Sequence, residues 1–333
     1  MTALALMVAV VVSGAPPNDT PKDEAFKQQM SEAIRRHDAG DFEGAISIYR
    51  SMLKTWPHEP TVVYELSFSM GANGATPKQM IEFLESELKV IKKPLPQMYS
   101  SLGSAYDGIG KLDLGEAALR KGRKLDPKSP DLAFNLGINL AMQKKMKEAE
   151  PEMRAAAELA PNWPSPWRTL AILMEDKGSR IDAVFARLNF LMLEPNTDRS
   201  RAAAKALDGL LDSMVKRGEK KVEVQMGANK DDFAGQLMLA AAFGDDKKSS
   251  SEQTVSGLMS LIDYALEEKP TGMRALLLKR LEAAKKAKCL EAALWEYRRS
   301  AGDPNADSWF GAHADEEERW ETFITPQRRR GAP

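Results

Sequence analysis

Residues able to carry chemistry are few in this chain of 333 residues, and their spacing builds no reactive arrangement. The three histidines are His37, His58 and His313, and none stands four residues from another. The helical histidine pair that holds zinc is therefore missing. His313-Ala314-Asp315-Glu316 sets two carboxylates beside an imidazole, the types a divalent cation takes, but on what reads as a surface helix. Gly71–Thr76, "GANGAT", is glycine-rich, yet no lysine follows where a phosphate-cradling loop needs one. No G-x-S-x-G occurs. Cys289 is the single cysteine, so neither a disulfide within the chain nor a cysteine metal site is possible; it reads as a small apolar helix residue. The many carboxylates are scattered along helix faces, as solvated surface groups are. No catalytic residue, metal or cofactor is expected. The alternative is an α-helical enzyme subunit whose chemistry lies in the C-terminal half, assembled from loops that only the fold brings together.

The elements that would position any site are helices. Ala, Leu, Met, Glu and Lys dominate and aromatics are 7%, a helix-forming composition. With 47 basic against 48 acidic residues, nothing favours nucleic acid as a partner. Residues 1–15 read as an export signal: an apolar run, Ala3–Val12, precedes Ser13-Gly14-Ala15. The run is short for a membrane span, which takes ~20 residues. No Lys or Arg precedes it, and Pro16 disfavours cleavage after Ala15. The expected location is periplasmic or secreted, with residues 16–25 as a linker; a retained anchor or a cytoplasmic co-chaperone or assembly factor is the alternative. No later segment is long and apolar enough to span a bilayer.

The helices recur. Leu125-Asp126-Pro127 is followed 34 residues later by Leu159-Ala160-Pro161 and 34 later again by Leu193-Glu194-Pro195. Upstream, Trp56-Pro57 fits two such periods with a two-residue insertion. Leu102-Gly103 and Tyr106 recur as Leu136-Gly137 and Leu140, then as Leu170-Ala171 and Met174. Gly115, Ala149 and Ala183 align, as do Gly122, Ala156 and the bulkier Phe190. A fixed period of this length marks stacked helical hairpins. Small residues let two helix axes approach to ~8–10 Å. Glycines in "AGDF" and "GIGK" supply the positive φ that ends a first helix. Each proline stops a second helix, and Ser129 or Asp131 with Pro130 can start the next.

This pattern resembles the tetratricopeptide repeat family over residues 26–197. The units are Phe26–Glu59, a departing one at Pro60–Leu95, then Pro96–Ser129, Pro130–Trp163 and Pro164–Thr197. The departing unit has Ser67 at the small position and a second helix from Thr76-Pro77, with its extra residues assigned to the turn. The resemblance implies an all-α, right-handed superhelical solenoid of antiparallel helix pairs with additional C-terminal helices. It implies a non-enzymatic scaffold that binds a protein or peptide segment in a concave groove lined by the first helix of each pair. By position, the groove residues are Met30, Ile34, Tyr64, Phe68, Ser104, Phe134, Ile138, Arg168 and Ile172, with Lys27, His37, Gln97, Ser100, Asp107 and Glu175 beside them. Asn135 matches one place of the family's carboxylate clamp, but Ser100, Ser104, Ser165 and Thr169 stand at the others, so that clamp is not expected.

Past residue 197 the register fades. Residues 198–300 read as a helical extension or degenerate repeats. They comprise a capping helix through Ala204–Val215, a short extended piece or helix end at Lys220–Gly227, and helices over Asp231–Phe243, Glu252–Glu268 and Gly272–Tyr297, with Gly244–Ser251 as a loop. Residues 301–333 are an acidic, aromatic tail, with seven acidic residues between Asp303 and Phe323. Lys279, Arg280, Lys285, Lys286, Lys288, Arg298 and Arg299 precede it, so the tail is expected to fold back. Trp309, Phe310, Trp320, Phe323 and Ile324 would anchor it, and Arg328–Arg330 would be a solvated end.

Overall fold

A computed structural model describes residues 24–217, 222–224, 230–243 and 248–329. The segment read as an export signal and most of the linker lie outside the described residues. The chain divides between Leu159 and Ala160 into two compact units.

The first unit is four helix pairs: α1 (Glu24–Asp38) and α2 (Phe42–Thr55), α3 (Pro60–Ala72) and α4 (Pro77–Leu88), α5 (Pro96–Gly108) and α6 (Leu112–Leu125), α7 (Pro130–Met142) and α8 (Met146–Leu159). Proline occupies the first turn of α3, α4, α5 and α7, where its missing N–H costs nothing. Ser129, rather than Asp131, caps α7: the Leu132 N–H donates to its Oγ at 3.3 Å. Asp41 caps α2 through the Gly44 N–H at 3.0 Å. Gly40, Gly74 and Gly110 end first helices with φ between 72° and 84°. Lys144 does so at φ 60° without glycine's freedom.

Each second helix packs on its own first helix and, for the first three pairs, on the first helix of the next pair. Consecutive first helices α1, α3, α5 and α7 also lie side by side. Close approach needs the small residues. A Cβ on Gly103 would stand 2.5 Å from Leu119 Cγ, and one on Gly137 would stand 2.6 Å from Met153 Cε. At the same register Ser67 is fully buried, its hydroxyl donating to the Tyr64 carbonyl at 2.7 Å. The departing unit is also corrected in one respect. The turn after α3 holds residues 73–76, one more than the turn between α5 and α6, and the rest of the insertion lies at residues 89–95 after a shortened α4. Thr76 and Gln79 form a reciprocal cap that starts α4 at Pro77, while Pro94 and Pro96 keep the exit extended.

The second unit opens with α9 (Pro164–Asp176) and α10 (Arg180–Leu193), a pair of the same kind closed by Gly178 at φ 80°. It continues with α11 (Asp198–Met214), β1 (Val215–Arg217), β2 (Val222–Val224), α12 (Lys230–Phe243), α13 (Ser250–Glu267), α14 (Gly272–Lys286), α15 (Leu290–Ser300), α16 (Pro304–Ala312) and α17 (Ala314–Arg329). Among the described residues the fold is all-α apart from the antiparallel pair β1–β2, which sets Val215 opposite Val224. Gly272–Tyr297 is not one helix: Lys288, at φ 57°, breaks it between α14 and α15.

α10 is the centre of this unit, buried from Ile181 to Leu193 apart from Asp182. A helix apolar on all sides needs cover on all sides, and α9, α11, α14, α15 and α17 supply it. Trp320 and Ile324 of α17 are fully buried and Phe310 of α16 nearly so. Burial of one such aromatic side chain contributes about 1.5–3 kcal/mol. Arg299 pairs with Asp307 at 2.9 Å and with Glu317 at 3.3 Å, and Arg298 with Asp303 at 2.8 Å. Arg328 is no solvated end: its Nε donates to the Met192 carbonyl at 3.1 Å, and its guanidinium lies 5.5 Å from the Trp320 ring centre.

Arg280 of α14 is 7% exposed and has neutral acceptors only. It donates to Gln327 Oε1 (3.0 Å), Asn189 Oδ1 (2.7 Å), the Pro161 carbonyl (2.5 Å) and Asn162 Oδ1 (3.0 Å). Burial pushes its pKa down to about 10, so it remains charged at neutral pH. One guanidinium thus ties α14 to the segment before α9, to α10 and to α17.

Candidate partner-binding face

In the first unit the positions expected to bind a partner sit on the four helices that lie side by side. Met30 and Ile34 are on α1, Tyr64 and Phe68 on α3, Ser104 on α5, and Phe134 and Ile138 on α7. Ser104 is exposed and the other six are half-buried. Met30 and Tyr64 also pack on the two apolar core clusters, so their side chains serve the interior as well as the surface. Arg168 and Ile172 lie on α9 of the second unit, both exposed, Ile172 at 49%.

The α1–α3 side of the first face is aromatic. The His37 imidazole stacks on Phe68 with ring centres 4.9 Å apart and planes 23° from parallel, and meets Phe42 edge-on at 5.1 Å. Tyr64 continues the row, 6.4 Å from Phe68. His37 Nδ1 lies 2.8 Å from Ser69 Oγ. Burial lowers the His37 pKa and so favours the neutral ring, against the opposing pull of Asp38.

Polar groups occupy the α5–α7 side. Asn135 Nδ2 donates to Ser100 Oγ at 2.8 Å, which commits to the fold the one side chain matching a clamp position. Asn139, fully buried, donates to Asp107 Oδ1 at 2.6 Å and to the Leu112 carbonyl at 2.9 Å. Burial raises the Asp107 pKa, and the Asn139 bond partly offsets it.

Sequence reading missed Glu65. It follows Tyr64 on α3, half-buried, and burial pushes its pKa up to about 7, with the like charge of Asp38 adding to the effect. Asp131, in the first turn of α7, is raised by burial too. Both carboxylates act on the Tyr64 phenol, itself pushed up to about 12, chiefly by burial. Glu65 was legible only as the residue between two positions expected to line a groove; that no counter-ion meets it among the described residues is a tertiary fact. No group of three or more His, Cys, Asp or Glu side chains placed to hold a metal ion occurs among the described residues, and His313 instead stacks on Trp309 at 4.3 Å.

No family model matches the chain, and no curated protein matches it. Among solved structures it is similar to MamA, with 22% identity and a TM-score of 0.43 over 52% of this chain and 95% of that one. It is similar to YrrB, described as a TPR protein with an unusual peptide-binding site, at 17% identity and a TM-score of 0.44 over 54% of this chain and 90% of that one. It is also similar to TTC0263, a thermophilic TPR protein of Thermus thermophilus, at 18% identity and a TM-score of 0.43 over 56% of this chain and 98% of that one. Helix pairs that return every 34 to 36 residues from α1 to α10, with small side chains at the crossings and proline where a first helix restarts, are of the tetratricopeptide-repeat kind.

Proposed function

We propose that the chain is a non-enzymatic scaffold that holds a protein or peptide segment on the face made by α1, α3, α5 and α7. The observation that carries this reading is the row Ile34, Phe68, Phe134 and Ile138, apolar side chains left partly open to water on one continuous helix layer. Such a row suits an amphipathic helix or an extended segment with apolar side chains. Balanced charge favours a protein partner over nucleic acid. In the second unit, Arg168 and Ile172 offer a smaller patch on α9. The C-terminal helix α17 acts as a built-in stabiliser of α10, with α16 packed on α15 and α17. Export belongs to the same proposal, supported by the apolar run Ala3–Val12 and the small residues after it. N-terminal sequencing of protein from fractionated cells tests it, and a chain starting at Met1 in the cytosol overturns it.

The binding reading is tested by selecting displayed peptides on the full chain and re-binding them to Phe68→Ser and Ile138→Ser variants with unchanged circular dichroism. Loss of the selected peptides supports the face. Retention of all of them overturns it.

A further inference from the structure

Taking the α1–α7 face as the binding surface, we propose that its occupant is a protein segment carrying a Lys or Arg between apolar residues, with the cation held at Glu65 beside the Tyr64 and Phe68 rings. Glu65 makes no hydrogen bond or ion pair among the described residues. It sits mid-helix on α3, where no helix end compensates its charge. Asp131, also without a hydrogen bond or ion pair among the described residues, projects the same sign of charge onto Tyr64 from α7. The basic groups of α1 do not help. Arg35 and Arg36 bond to Glu32 at 2.8 Å, Arg36 reaches Asp41 at 3.1 Å, and Lys27 pairs with Glu24 at 3.7 Å.

A second observation comes from beneath α3. The Tyr49 hydroxyl of α2 is buried with no hydrogen-bond partner, and its side chain is fully shielded from water. Burial raises its pKa, and the charges of Glu65 and Asp38 raise it further, so it lies in the same negative field. Glu65, Asp38 and Asp131 thus set a negative field around Tyr49 and Tyr64. A partly desolvated carboxylate without a partner is costly, and an ammonium or guanidinium supplies both the charge and the donors. The stacked Tyr64 and Phe68 rings add an attractive surface for the same cation. A neutral apolar segment would leave Glu65 unpaired, and an acidic one would be repelled by it.

The probe is three pools of fluorescein-labelled dodecapeptides with flanks drawn from Leu, Phe, Ala and Ser and a fixed central Arg, Gln or Glu, bound to the full chain at pH 8. The Arg pool is expected to bind about tenfold more tightly than the Gln pool, a margin typical of one partly desolvated cation contact, and the Glu pool weakest. Glu65→Gln should bring the Arg and Gln pools together, and Asp131→Asn should narrow the gap. Asp113→Asn, an exposed acid in the first turn of α6, should leave the preference unchanged. Equal binding of the Arg and Gln pools, or a preference that survives Glu65→Gln, overturns the cation site. If Phe68→Ser weakens all pools in that case, the binding face itself stands. If no pool binds, or Phe68→Ser changes nothing, the face falls and the cation site with it.

Discussion

The His37 imidazole of α1 lies flat against the Phe68 ring of α3, centres 4.9 Å apart, while its Nδ1 meets the Ser69 hydroxyl at 2.8 Å. One side chain thus joins two first helices by a stacked ring and a hydrogen bond.

Replacing His37 by Ala removes both contacts, and together they are worth about 1–2 kcal/mol. The histidine also sets a pH dependence. Its folded pKa lies below the ordinary 6.5, so the unfolded chain takes up the proton first as pH falls. Stability from this group is complete above that value and declines as pH drops below it. Urea titrations at several pH values should show the advantage of the natural chain over the alanine variant shrinking as pH drops below 6.5.

Glu65 works in the opposite sense. Its folded pKa of about 7 stands above the ordinary 4.5, so the folded chain holds the proton longer as pH rises. The cost is absent below pH 4.5 and complete above about pH 7. Glu65→Gln should therefore stabilise the protein at pH 8 and leave it unchanged near pH 4. The shift corresponds to at most ~3 kcal/mol, and residual solvent access reduces this to about 1–2 kcal/mol. A melting temperature that does not rise at pH 8 contradicts the assignment.

Gly103 and Gly137 share one register position but not one tolerance. A Cβ on Gly103 meets the branch carbon of Leu119, while one on Gly137 meets the terminal methyl of Met153, which can swing away. Alanine gains about 1 kcal/mol over glycine inside a helix, and overpacking costs about 1–3 kcal/mol. Gly137→Ala should be close to neutral and Gly103→Ala clearly destabilising in denaturant melts.

Arg280 should be irreplaceable in the second unit. Arg280→Ala leaves fully buried Asn189 and half-buried Asn162 and Gln327 without this donor, leaves the Pro161 carbonyl with Trp167 Nε1 alone at 2.8 Å, and removes the guanidinium 5.5 Å from the Trp167 ring centre. The loss should be about 2–4 kcal/mol. Lysine should not restore it, since a compact ammonium cannot span four acceptors set around a planar fork. Hydrogen exchange should place the loosening in α10, α14 and α17.

The repeat architecture was legible because its causes are local. A proline after each second helix, an alanine, glycine or serine at each crossing and a proline in the first turn of α3, α5, α7 and α9 act within a few residues, so their spacing prints the hairpins directly. The same register set which residues lie on the first helices α1, α3, α5 and α7. The break at Lys288 was not legible, since a lysine at positive φ leaves no compositional mark and α14 and α15 both have helical composition. Arg328 read as a frayed end because its partners, the Met192 carbonyl and Trp320, include one far away in sequence.

Sequence alone determined that α10 would be a helix and where it would begin and end; that it would be buried almost all round was decided by α11, α14, α15 and α17 closing on the side a repeat leaves open. The same division holds on α3. The order of residues sets Tyr64, Glu65 and Phe68 within about one turn of one another, because helical spacing is a property of the backbone. The protonation of Glu65 depends on its burial and on the charge of Asp38 arriving from α1, and burial and Coulomb forces act through space rather than along the chain.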